Sequence, residues 1–217
     1  MVSSDLRGQV GNMLKIFLFA AIIGHVICGI CDCLLCYGPK GRLDLKCIKT
    51  PEMMKREFKG MPPSNPMCSV ILGTFSIMLF AFGYLAVSNW MYGHSKFCGT
   101  LMLISSVMFI VPIVVHHVIC GFVEWFYIKM ERTVEARDAV LTFQKQTAAC
   151  MIVGYFGLFA FAMTLLVGIA TGQTNLPWWA CFFNTVPVFL AILPTKLPAK
   201  GNISGVIMFT ALLIFLW

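Results

Sequence analysis

Apolar runs too long for a soluble core set the first limit on this chain. Residues 68–90 and 98–126 are nearly charge-free, and each exceeds the roughly 20 residues a helix needs to cross the bilayer core. Similar runs cover 13–37, 147–171 and 177–194, and a shorter one of 15 residues covers 203–217. Lipid offers no hydrogen bonds to a bare backbone, so such runs fold as helices. A barrel would need short alternating strands, and the sequence has none. The first run is too long for a signal-peptide core and lacks a small-residue cleavage site, so it is expected to stay in the mature protein. The expected fold is all-α: one transmembrane domain over residues 1–217, a bundle of six helices. Composition agrees, with 59% hydrophobic and 12% charged residues against about 25% charged in soluble domains.

Charge placement predicts the orientation. All 16 Lys and Arg residues except Arg7, Lys15 and Lys96 fall in loops 38–67, 127–146 and 195–202. With six spans these loops share one side. The positive-inside rule puts that side in the cytoplasm and both termini outside. Trp90, Trp178, Trp179 and Trp217 then mark the outer interface. The net charge of +7 is explained by this asymmetry. No basic patch interleaved with aromatic residues is present, which excludes a nucleic-acid partner. The expected partners are the lipid bilayer and a small hydrophobic ligand.

Loop 38–67 contains PEMMKREFKG. Met53, Met54 and Phe58 share a helical face opposite Lys55, Arg56 and Lys59, which predicts a short amphipathic helix lying on the anionic leaflet. Residues 129–146 mix Glu131, Arg132, Glu135, Arg137 and Asp138, the pattern of a solvated helical extension.

Two stretches inside the apolar runs are nearly identical: HVICGICD at 25–32 and HVICGFVE at 117–124. A seven-residue step is about two helical turns and about 10 Å. His25 and Asp32 therefore share one face of the first span, and His117 and Glu124 one face of the third. Both spans run in the same direction, so the patterns fall at similar depth. Gly29 and Gly121 between them would allow close helix approach. The pairing suggests a partial internal repeat of the first and third spans, which pack with these faces towards a shared interior.

Ionisable groups within a bilayer are costly and usually face a bundle interior or a wet cavity. The candidate acid–base groups are thus Asp32, Glu124, His117 and His25. His116, Asn184 and Tyr155 are candidate substrate contacts, with Pro112 and Pro187 as points where the helices bend and open room. Packing glue is the alternative role for any one of these residues. Three chemistries fit the set. A buried pocket could bind a small hydrophobic molecule and convert it by proton transfer. The same groups could carry protons for a small-molecule transporter. His25 and His117 could hold a haem b or, with the carboxylates, a metal ion. The CxxC spacing in CGICDCLLC (Cys28, Cys31, Cys33 and Cys36) fits a thiol–disulfide pair at Cys28 and Cys31 or a metal knuckle, but in a continuous helix these cysteines spread round the circumference, as small packing residues do.

The end of the first span, GICDCLLCYGPKG, resembles a group of six-span bacterial membrane proteins to which no activity is assigned. An aspartate, apolar residues and a Gly-Pro turn carry the likeness here, from Asp32 to Gly38 and Pro39. The resemblance implies a bacterial plasma-membrane protein and no particular reaction. In residue type alone, a His with carboxylates in a helical pocket is similar to the emopamil-binding, sterol-isomerase-like proteins. The order and spacing of the motifs differ, so no residue role is carried over.

Overall fold

A computed structural model of the chain describes residues 4–216, with side chains from Gly11 onward except that of Leu45. Arg7 and Trp217, used above for orientation, lie outside the described side chains. Among the described residues, four helices are long and apolar enough to cross a bilayer, the mark of an integral membrane helical bundle. They are α1 (Ser4–Cys36), α3 (Ser64–His94), α4 (Lys96–Lys129) and α6 (Ala148–Ala170). Between the first two lies α2 (Pro51–Glu57), and between the last two α5 (Val134–Gln146). The chain ends with α7 (Thr185–Ile192) and α8 (Lys200–Phe215).

The segment expected as a fifth continuous span is not one. Residues Trp178–Phe183 form a 3₁₀ turn, and an eight-residue helix follows from Thr185. The break has a local cause. Asn184 is extended and caps α7, its side chain accepting from the Val186 N–H. Pro187 has no N–H to continue the ladder upstream. Pro112, by contrast, sits inside α4 and the helix continues through it.

Neighbouring helices meet where glycine removes the side chain. A Cβ at Gly83 would overlap Ala21, drawing α3 onto α1. A Cβ at Gly157 would lie 2.5 Å from the Phe109 N, drawing α6 onto α4. A Cβ at Gly121 would overlap Val70. Gly29 is different: a Cβ there would meet Asn202 and Ala199 at ordinary contact distances of 3.6 and 3.7 Å. The repeated faces of α1 and α4 turn towards a shared interior, as expected, with little direct contact between the two helices. α1 packs chiefly on α3 and is covered by α8 from the other side, and α4 packs on α3 and α6.

The basic loops gather at one end of the bundle, here called the loop end. Arg42 donates to the Lys196 carbonyl at 2.8 Å, and Arg132 to the Phe58 and Met61 carbonyls at 2.9 and 3.2 Å. The apolar face of α2 is not left for lipid. Met54, Phe58 and Met61 are buried against Val123, Tyr127 and Val140 of α4 and α5. Cys47 lies in the same cluster, and burial, then Glu57 and Asp44, push its thiol up. At the opposite, tryptophan end, α3 and α4 join at Ser95. There Trp179 packs edge-on against Phe215, ring centres 5.0 Å apart.

Candidate functional site

The polar residues expected inside the bundle collect towards the loop end, and most of them line one cavity of about 790 Å³. His25, Asp32, His116, His117, Glu124 and Tyr155 all border it. Its apolar wall includes Ile77, Phe80, Phe109 and Leu158, and Arg42, Gln144 and Lys200 border it at the loops.

Two runs of hydrogen bonds lie along one side, with a gap between Asp32 and His117. Tyr84 Oη lies 3.3 Å from His25 Nε2, and His25 Nδ1 lies 2.9 Å from Asn202 Oδ1. Asn202 Nδ2 donates to Asp32 Oδ2 at 2.8 Å. Asp32 Oδ1 faces His117 Nδ1 at 3.9 Å. His117 Nε2 then lies 3.0 Å from the Ser69 carbonyl oxygen. Side chains of α1, α3, α4 and α8 thus form one polar seam.

The chemistry of each atom sets the direction of these bonds. The Ser69 carbonyl can only accept, so His117 Nε2 carries a proton. Asp32 as carboxylate can only accept, so the amide of Asn202 presents its NH₂ there and its oxygen to His25. His25 Nδ1 then donates to that oxygen, and His25 Nε2 accepts from Tyr84. Interhelical bonds of this kind contribute about 0.6 kcal/mol each, and up to about 1.7.

Two glycines make room for the histidine rings. A Cβ at Gly73 would overlap the His117 imidazole, and one at Gly205 would come within 2.5 Å of the His25 ring. His25 also stacks on Phe80, with ring centres 4.4 Å apart and planes at 9°. Both imidazoles are buried, at 3% and 7% exposure.

The two copies of the repeated pattern are used differently. In α1, His25 and Asp32 are bridged by Asn202. In α4, His117 turns across the bundle to Asp32, and Glu124 stands apart. Glu124 Oε2 is buried without a hydrogen-bond partner among the described residues. His116 pairs loosely with Cys120 one turn on, its Nε2 3.5 Å from the sulfur. Asn184 is not part of this site. It donates to the Ala162 carbonyl at 2.9 Å while capping α7, which is a structural use. Among the described residues, Cys28, Asp32 and His117 form a cluster of metal-type ligands whose ligand atoms lie within 4.8 Å of one another. His25, expected as a metal or haem ligand, has both ring nitrogens engaged by Asn202 and Tyr84.

Sequence reasoning missed Asn202, Tyr84 and Ser69. Asn202 falls one residue before the last apolar run, where it reads as loop. Its signal was Gly205 three residues on, a small residue on nearly the same helical face. Ser69, Gly73 and Ser76 likewise form a small-residue stripe on α3.

No curated protein and no solved structure matches the chain. The residue-type likeness to emopamil-binding proteins is accordingly not shown. A model described as a family of unknown function (DUF6796) matches residues 7–214, nearly the whole sequence, and the chain belongs to that family.

Proposed function

We propose that the cavity binds a small amphiphilic molecule and that its polar wall can move protons to or from it. The observation that carries this reading is the juxtaposition of a hydrogen-bonded seam with a cavity of about 790 Å³, within the roughly 300–1,000 Å³ of ligand sites. The apolar body of the ligand would lie against Phe80, Phe109 and Leu158. Its polar head would lie near Asp32 and Glu124, which favours a hydroxyl or an amine. A buried carboxylate oxygen without a partner, as in Glu124, is costly, and a ligand hydroxyl or amine would satisfy it. In this reading Asp32, Glu124, His117 and His25 are the acid–base set, and His116 and Tyr155 contact substrate.

The tryptophan end favours a pocket over a transport path. The void found there measures only about 10 Å³, room for about one water. The proposed topology places the loop end in the cytoplasm, by the positive-inside rule, and both termini outside. The broken segment Trp178–Ile192 then serves as a discontinuous crossing and α8 as a short one. Irregular backbone at membrane depth is tolerated where it is buried in protein. Asn184 and Thr185 at the break are both buried.

Native mass spectrometry of the protein extracted in mild detergent tests the proposal. A bound amphiphile should be retained by the wild type and lost in Leu158→Trp, which fills the apolar wall. Glu124→Gln should retain the ligand if Glu124 acts as a proton donor or acceptor rather than a binding group. Equal retention in wild type and Leu158→Trp would place the ligand outside the cavity and defeat the reading.

A further inference from the structure

The hydrogen-bond directions leave one place in the seam where two acceptors face each other. His117 Nε2 must donate to the Ser69 carbonyl, so the neutral ring presents a lone pair at Nδ1. Asp32 Oδ2 is taken by the Asn202 amide, so Oδ1 presents its lone pairs as well. These two atoms confront each other at 3.9 Å, with side chains only 8% and 31% exposed. That arrangement suits something positive between them: a proton or a cation. A shared proton would draw the pair to a charge-assisted hydrogen bond of about 2.7–2.9 Å. The observed separation is closer to that of two ligands on one ion. Tetrahedral zinc with ligand bonds of about 2.0–2.3 Å holds its ligand atoms roughly 3.3–3.7 Å apart.

A third ligand is in place. Cys28 lies one turn before Asp32 on the same face of α1, and its sulfur lies within 4.8 Å of a carboxylate oxygen of Asp32 and a ring nitrogen of His117. Cys28 is buried, unlinked to any other cysteine, and borders the cavity. Both other ligands are oriented from behind, His117 by a backbone carbonyl and Asp32 by Asn202. Such outer contacts are characteristic of metal sites, where they fix the tautomer and the aim of the ligands.

We propose that Cys28 Sγ, Asp32 Oδ1 and His117 Nδ1 bind one divalent transition-metal cation, zinc by the mixture of sulfur, oxygen and nitrogen donors. Binding releases the thiol proton of Cys28. Three protein ligands leave a fourth position, the arrangement of catalytic rather than structural zinc. All three ligand residues border the cavity, so that position is available to water or to a polar group of a ligand. This inference rests on the cavity as a binding site; with the cation bound, Asp32 and His117 serve as its ligands, and Glu124 remains as the acid–base group beside a Lewis acid.

The test uses wild-type protein in detergent, stripped with a chelator and titrated with Co²⁺, then with Zn²⁺. The expected result is one equivalent of cobalt, with visible bands of tetrahedral Co²⁺ and a near-ultraviolet thiolate charge-transfer band, all removed by zinc. Cys28→Ser, which changes only sulfur to oxygen, should abolish the charge-transfer band. Cys31→Ser, a buried cysteine nearby, should leave the spectrum unchanged. Asn202→Ala should weaken cobalt binding by about 10–100-fold by releasing Asp32. Folded wild-type protein that binds no stoichiometric cobalt would overturn the proposal and leave a proton between Asp32 and His117. A charge-transfer band that persists in Cys28→Ser would overturn it as well. An amphiphile still seen by native mass spectrometry in either case would show that the cavity reading survives without the metal.

Discussion

The same helices are packed in opposite ways at the two ends of the bundle. Towards the tryptophan end, Tyr84 sits among Phe161, Phe209 and Phe109, with ring centres 4.8–5.1 Å away in edge-on contacts. Leu18, Val87, Met91 and Phe161 there are fully buried. Towards the loop end the helices separate around about 790 Å³ of space, and the side chains between them are His, Asp, Asn, Glu and Cys. Between hydrocarbon-coated helices, association rests on packing and hydrogen bonds rather than on hydrophobic transfer. The comparison teaches that one end supplies the packing that holds the helices, which frees the other to hold polar groups around a space. Tyr84 joins the two ends, its ring in the packed core and its hydroxyl on His25.

The sharpest way to break the contrast is to truncate neighbouring side chains of α6, one enclosed in the packed core and one facing the cavity. Phe161→Ala should destabilise by about 3–5 kcal/mol, because its ring is enclosed on all sides. Leu158→Ala, one turn away but facing the cavity, should cost less than half as much. Unfolding by denaturing detergent, followed by circular dichroism, measures both. Equal costs would mean that the loop end is as tightly packed as the tryptophan end.

Adding a methyl group sharpens the same comparison at a smaller scale. Gly83→Ala forces Ala21 away and should cost roughly 1–3 kcal/mol by overpacking. Gly29→Ala meets only ordinary contacts and should be close to neutral. Gly73→Ala should combine a cost like that of Gly83→Ala with loss of ligand retention, because the methyl displaces His117. Thermal melts together with native mass spectra separate these outcomes.

The seam itself predicts an effect of the same order. Asn202→Ala leaves Asp32 Oδ2 and His25 Nδ1 without their partner, a cost of about 1–3 kcal/mol for each group that water cannot reach. A double-mutant cycle with His25→Ala should show a coupling near 0.6 kcal/mol and not above about 1.7. The smallest effect is expected at the loops. Arg132→Ala removes the bonds to the Phe58 and Met61 carbonyls. It should raise the rate of limited proteolysis within residues 38–63 and leave the melting of the bundle within about 0.5 kcal/mol of wild type.

Much of this architecture is readable from single residues, and the parts that are not have physical causes. The runs at 68–90 and 98–126 give α3 and α4 because a bilayer permits no other fold for them. His25, Asp32 and His117 stand out because polar groups in such runs demand partners. Their partners could not be read the same way. Asn202 looks like a loop residue, and the tie from Asp32 to Asn202 spans 170 positions. The run at 177–194 misled because hydropathy is blind to backbone capping: Asn184 and Pro187 interrupt a segment whose composition suits a span. The amphipathic face of α2 misled in a related way. A sequence shows that Met54 and Phe58 are apolar together, but not whether lipid or the α4–α5 corner covers them. The repeat was visible as letters, yet its two copies diverge in use because only α1 is covered by α8.

The contrast between the two ends can be tested on the unaltered protein with its own cysteines. Cys120 borders the cavity, and Cys98 is 7% exposed at the tryptophan end, its thiol donating to Gln173. Membrane vesicles treated with a small water-soluble thiol reagent, then digested and mapped by mass spectrometry, report on both at once. A water-accessible cavity predicts that Cys120 is modified well before Cys98, and that a bound amphiphile protects it. Equal protection of the two, or faster modification of Cys98, would contradict an open cavity at the loop end.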